Sequence, residues 1–195
     1  VCATGALTEA KSSRVQKKMA EEVFRFHVLA NSDSEKDQAL KMKVKENVIA
    51  YMKEELPESE DVEMTKEWAK EHLEEVKAVA KETLRKEGCN HSVKAEVTHC
   101  YFPDKTYGDI TFPKGEYEAL GIEIGAAKGE NWWCVAFPPL CVGAAAESIE
   151  NAVCVGYFTQ EQGALLTAQE GEYVLRFKSM ELFGAIKRLF LGEST

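Results

Sequence analysis

Arg25-Phe26-His27-Val28-Leu29-Ala30-Asn31-Ser32-Asp33-Ser34 is the stretch that decides the fold. Apolar and polar residues alternate through residues 23–30. Phe24, Phe26, Val28 and Ala30 fall on one face, and Arg25, His27, Leu29 and Asn31 on the other, which is the period of a strand. The strand runs directly into Asn31-Ser32-Asp33-Ser34, residues that favour turns and helix caps. Ser32 and Glu35 have capping-box spacing, and Asp33 or Ser34 can also cap. A helix is therefore predicted from about residue 34 to 56. Leu40, Val44, Val48, Tyr51 and Met52 form its buried stripe, and Pro57 ends it.

A second long helix is predicted over residues 65–87. Ala69, Leu73, Val76, Ala80 and Leu84 form its inner face, and Gly88 caps it. Residues 92–102 alternate as a strand. Residues 103–115 hold two prolines and two glycines, as a shaped loop or tight hairpin does. Tyr117 to Ile124 reads as a strand with Leu120, Ile122 and Ile124 on one face. Gly125 to Glu130 turns the chain. Residues 132–137 are apolar on both faces, as in a central strand covered on both sides. Adjacent strand residues point opposite ways, so Trp132 and Trp133 belong to opposite faces. Beyond Cys141 the pattern weakens, with a short helix at 147–153, an ambiguous stretch at 159–171, a strand at 173–178 and a helix at 179–191. The expected class is α+β: a mixed sheet of about four to five strands, with two long helices after the first strand and a C-terminal helix. The expected organisation is a leader over 1–20 and one domain over 21–195, irregular at 141–172.

The chain has 195 residues and a net charge of −9, enough length for one substantial core. No basic stripe suits nucleic acid. No run of about eighteen apolar residues suits a membrane span. Val1 to Leu7 is small and apolar and reads equally as the tail of an export segment or as a plain leader. The six cysteines, Cys2, Cys89, Cys100, Cys134, Cys141 and Cys154, include no C-x-x-C pair. Cys134 and Cys141 flank a Pro-Pro corner and can approach one another; in an exported protein a disulfide there is reasonable. The four histidines lack metal-ligand spacing, and no phosphate loop or dinucleotide fingerprint occurs. No cofactor or metal is expected.

Two kinds of chemistry fit the remaining residues. A Cys-His hydrolase could use Cys134 as nucleophile, His27 as base and Asn31 to orient it, although no nucleophile signature surrounds Cys134. A carboxylate hydrolase would draw on Asp104, Asp109, Glu116 and Glu118, with no pair singled out. Protein recognition fits better, because Trp132, Trp133, Tyr107 and Phe137 offer rigid anchoring side chains beside shaped loops.

Four blocks carry a resemblance. They are Phe26-His27-Val28-Leu29-Ala30-Asn31-Ser32-Asp33-Ser34-Glu35-Lys36-Asp37-Gln38-Ala39-Leu40-Lys41, Phe102-Pro103-Asp104-Lys105-Thr106-Tyr107-Gly108, Pro113-Lys114-Gly115-Glu116-Tyr117-Glu118-Ala119-Leu120, and Gly129-Glu130-Asn131-Trp132-Trp133-Cys134-Val135-Ala136-Phe137-Pro138-Pro139-Leu140-Cys141. In this order they resemble the stage II sporulation protein R family of endospore-forming bacteria, across about residues 23–141. The resemblance implies a non-enzymatic signal made in the forespore and exported into the space between forespore and mother cell. There it would trigger a membrane-embedded aspartic protease that processes the precursor of sigma-E. It also implies that the N-terminal remnant ends an export segment, and that the oxidising space permits a Cys134–Cys141 bridge. It carries over no catalytic residues. The expected contacts with the protease are His27, Asn31 and Asp33 at the strand end, Asp104, Lys105, Tyr107 and Asp109 in the loop, and Trp132 near the turn. The alternative is a cysteine- or carboxylate-dependent cell-wall or peptide hydrolase.

Overall fold

Phe24–Leu29 forms a strand, β1, that lies inside a four-stranded mixed sheet. The computed structural model describes residues 17–57, 61–107, 110–138 and residue 166. After β1 come helices α1 (Glu35–Glu55), α2 (Val62–Glu71) and α3 (Leu73–Lys86), then strands β2 (Val93–Phe102), β3 (Lys105–Tyr107), β4 (Ile110–Phe112), β5 (Gly115–Ile124) and β6 (Asn131–Phe137). The sheet order is β2-β5-β1-β6, and β3 and β4 form a separate two-stranded hairpin. β1 runs parallel to β5 and antiparallel to β6, while β2 is antiparallel to β5. The architecture is α+β, as the sequence pattern predicts.

Strand alternation splits the sheet into two faces. Phe24, Phe26, Val28, Leu120, Ile122 and Ile124 point to the helices, where they meet Val44, Val48 and Met52 of α1 and Val76, Ala80 and Leu84 of α3. The opposite face carries Arg25, His27, Tyr117, Trp133 and Val135. It packs with Phe102, with Phe112 of the β3–β4 hairpin, with Met19 of a helical turn at 17–21, and with Leu166. Arg25 is completely buried on this face. Its Nε donates to the Cys134 carbonyl at 3.0 Å, and its guanidinium lies 4.4 Å from the Phe102 ring centre, 5.0 Å from that of Tyr117 and 5.2 Å from that of Phe112. Desolvated cation–π contacts of this kind are each worth up to about 2 kcal/mol. They explain why an arginine is tolerated in a core.

The helix predicted over 65–87 is two helices, which break at His72. The His72 ring stacks on Trp68 at 4.6 Å, and its Nδ1 lies 2.9 Å from the Trp68 carbonyl. The side chain thus competes for a carbonyl at the junction, the behaviour that ends a helix. At the far end Gly88 adopts φ +68°, Gly88 N donates to Arg85 O and Cys89 N to Leu84 O, forming a Schellman cap. Ser34, among the three candidates, is the N-cap of α1; its hydroxyl accepts from Asp37 N at 3.2 Å. The second difference is β6. Among the described residues it borders β1 only, and β5 and β1 are the strands with a partner on both sides. Its two-faced apolarity reflects helices on one side and the second cluster on the other. The elements expected at 147–153, 173–178 and 179–191 lie outside the described residues.

The connection from β5 to β6 must cross the end of β1, and it does so in close contact. A Cβ added at Gly129 would sit 2.3 Å from the Ser32 carbonyl oxygen, whereas one at Gly88 would meet nothing within 4 Å. Gly129→Ala is therefore expected to cost about 1–3 kcal/mol by forcing backbone apart, and Gly88→Ala roughly 1 kcal/mol from the left-handed φ alone. Urea unfolding of the two variants checks the order; equal losses would contradict the close crossing.

Candidate functional site

The β1–α1 corner is a hydrogen-bonded polar node. Asn31 turns its Nδ2 to Asp37 Oδ2 at 2.7 Å and its Oδ1 to Ala126 N at 2.8 Å. Ser32 Oγ donates to the same carboxylate at 2.6 Å, and His91 Nε2 lies 3.3 Å from its other oxygen. Asp33 Oδ1 accepts from Glu130 N at 2.6 Å. Backbone bonds from Lys128 N to Asn31 O and from Gly129 N to Ala30 O complete the join. Lys41, buried on α1, donates to the Glu130 carbonyl at 3.1 Å. Asn31 and Asp33 thus tie strand, helix and loop together. The hydrogen bonds from Ser32 and then Asn31 hold the Asp37 carboxyl down at about 2, from an ordinary value of 3.8.

A second cluster lies on the opposite sheet face. The His27 ring lies over Gly121, its neighbour on β5, where a Cβ would come within 2.7 Å of Nε2. The missing side chain gives the imidazole room to reach toward β2, and Nε2 stands 3.7 Å from Cys100 Sγ. On the other side, Nδ1 lies 3.3 Å from Oδ1 and 3.1 Å from Nδ2 of Asn131. Trp133 stacks on the ring at 5.5 Å, and Phe102 meets it edge-on at 5.8 Å. Burial lowers the His27 pKa below 6.5, and burial raises the Cys100 thiol to about 11. The resting pair is a neutral imidazole beside a neutral thiol.

The residues singled out in the sequence do not converge on one patch. Trp132 lies on the helix side, 5.7 Å from Phe26 and beneath Lys45, with the sheet between it and His27. Asp104 accepts from Lys114 N at 2.8 Å across the base of the β3–β4 hairpin, Lys105 opens β3, and Tyr107 ends it opposite Ile110. Asp109 and Cys141 lie outside the described residues. The grouping of Cys134, His27 and Asn31 is not formed. Cys134 pairs with Phe26 and so faces away from His27, and Asn31 is turned to Asp37. Cys134 is disulfide-bonded, whereas Cys89 and Cys100 are free thiols. Sequence reasoning passed over Cys100, Asn131 and Gly121. The available signal was parity: Cys100 shares its strand face with Thr98 and Phe102.

Among the described residues, no group of three or more His, Cys, Asp or Glu could hold a metal ion, and no helix is long and apolar enough to cross a membrane. A family profile described as stage II sporulation protein R matches residues 20–147. This chain belongs to that family. It is 40% identical over 134 residues to the stage II sporulation protein R of Bacillus subtilis (strain 168), a match that covers 69% of this chain and 60% of the relative's length. No solved structure matches it. The shared segment includes the polar node, the β3–β4 hairpin and the His27 cluster.

Two titrations follow. Asp37 is held ionised by its partners, so its contribution to stability is complete above about pH 4 and is lost as pH falls toward 2. Asp37→Asn should cost about 1–3 kcal/mol at neutral pH and flatten the stability profile in that window. His27 favours its neutral form when folded, so stability should also decline as pH falls below 6.5. Denaturant midpoints measured from pH 7 to 2 check both; a profile unchanged in Asp37→Asn would contradict the first.

Proposed function

We propose that this sporulation protein is an exported signal. It binds a membrane-embedded aspartic protease in the space between forespore and mother cell and thereby promotes processing of the sigma-E precursor. The observation that carries this reading is the match to the stage II sporulation protein R family across residues 20–147. The disulfide at Cys134 suits an oxidising compartment, and we take Cys141 as its partner. That bond also removes Cys134 from consideration as a nucleophile.

A binding signal can shift its receptor only through different affinity for the receptor's two states. The docking surface in this reading is the β3–β4 hairpin, where Asp104 is exposed and Lys105 half-exposed; Asp33 lies beside the β5–β6 loop at the other end of β5 and is a separate contact. His27, Asn31 and Trp132 act one step back, by holding β1 and β6 in place for those contacts.

Reconstitution of the purified chain with the membrane protease and its sigma precursor tests the proposal. Added chain should stimulate cleavage. Asp104→Ala and Lys105→Ala should each reduce that stimulation at least about tenfold, the effect of losing roughly 1.4 kcal/mol of binding; Lys105→Ala should leave the thermal midpoint within a degree or two of the parent, while Asp104→Ala, which also deprives Lys114 N of its acceptor, should lower it by about 2–4 °C. Full stimulation by a double variant would remove the hairpin from the docking surface. Absence of stimulation by the parent chain would end the proposal.

A further inference from the structure

Three strands bring a thiol, an imidazole and a carboxamide into line on the second sheet face. Cys100 comes from β2, His27 from β1 and Asn131 from β6. The order is sulfur, 3.7 Å, Nε2; then Nδ1 and the Asn131 carboxamide, whose oxygen lies at 3.3 Å and nitrogen at 3.1 Å. This is the order that nucleophilic catalysis requires: a nucleophile against a base, and the base oriented by a third group. Trp133 stacked on the imidazole restricts its rotation. Gly121 keeps the space beneath the ring open. Cys89, the other free described thiol, is buried, whereas Cys100 is partly exposed. We propose that Cys100, His27 and Asn131 form a nucleophilic thiol site that accepts the acyl group of an ester, thioester or amide carbonyl.

In the tautomer that the proposal requires, Nδ1–H donates to Asn131 Oδ1 and the Nε2 lone pair faces the thiol. As Sγ bonds to the carbonyl carbon, the thiol proton moves to Nε2. The imidazolium returns that proton to the leaving oxygen, sulfur or nitrogen as its bond to the carbonyl carbon breaks, which leaves a thioester on Cys100. Water, giving a proton to the same nitrogen, then releases the acid and restores the thiol. No oxidant, reductant or metal enters the balance. The neutral resting pair suits this route, because the base must be unprotonated and the thiolate need form only as the attack proceeds. Glu96 and Glu123 bear electrostatically on His27, and Glu96, Glu116 and Arg25 bear on Cys100. Three carboxylates against one guanidinium disfavour an anionic acyl donor.

The full chain with its disulfide intact is treated with p-nitrophenyl acetate, and acetylation is followed by nitrophenolate release and by peptide mass mapping. The acetyl group should appear on Cys100 and not on Cys89. The rate should rise with pH through the His27 titration and then level off well below the thiol's own pKa. His27→Gln should slow it on the order of 100-fold, and Asn131→Ala about tenfold, with Cys100→Ser unlabelled. The pH profile of the parent needs no variant, so it decides the matter even if His27→Gln does not fold. A rate that climbs without a plateau toward pH 11, as for an unassisted thiol, would overturn the proposal. So would folded His27→Gln or Asn131→Ala reacting at the parent rate, or label found equally on Cys89. The measurement uses no protease, so its outcome is separate from that of the docking reading.

Discussion

The side chain of Asn31 is the constraint on which the rest of the structure depends. Its two ends are used in two directions: the amide nitrogen to Asp37 on α1, the oxygen to the Ala126 amide in the β5–β6 loop. β1 lies between β5 and β6, so the chain leaving β5 must pass over the end of β1 to enter β6. A chain crossing of this kind leaves backbone donors and acceptors without a sheet to pair in, and buried groups of that sort are costly when unmet. Asn31, Ser32 and Asp33 supply the partners. A turn-like tetrapeptide after a strand is thus both the start of a helix and the lock on a neighbouring loop.

From that corner the two sheet faces acquire different characters. The helix side is built from aliphatic and aromatic residues at regular spacing. The other side holds a completely buried arginine inside three rings, and a buried histidine with no side chain beneath it. Placing charged and titratable groups in a core costs free energy unless they find partners. Arg25 finds a carbonyl and aromatic faces, and His27 finds a carboxamide and a thiol. The family match shows a sporulation protein.

Much of this was legible from residue order, for local reasons. The period of two in β1 fixes both of its faces, the cap residues place the start of α1, and the prolines and glycines at 103–115 mark the hairpin. What escaped was non-local or competitive. The apolar spacing of 65–87 runs unbroken through His72, and only the stacking of that ring on Trp68 reveals the break. The pairing of β6 with β1 depends on β1 inserting between β5 and β6, which spacing along the chain does not encode. The Cys100–His27–Asn131 cluster needs the register of β1 on β5, because only then does Gly121 fall beneath the imidazole. Candidate residues matched to a catalytic template by residue type, such as Cys134 and Asn31, face the wrong way or are engaged elsewhere.

The most direct test of this account is a double-mutant cycle on Asn31 and Asp37, with unfolding free energies measured for the parent, Asn31→Ala, Asp37→Ala and the pair at neutral pH. A shared node requires the two losses to overlap, with a coupling of about 0.5–3 kcal/mol. Losses that add to within roughly 0.3 kcal/mol would show that the corner is not a single unit, and the organisation built upon it would not stand.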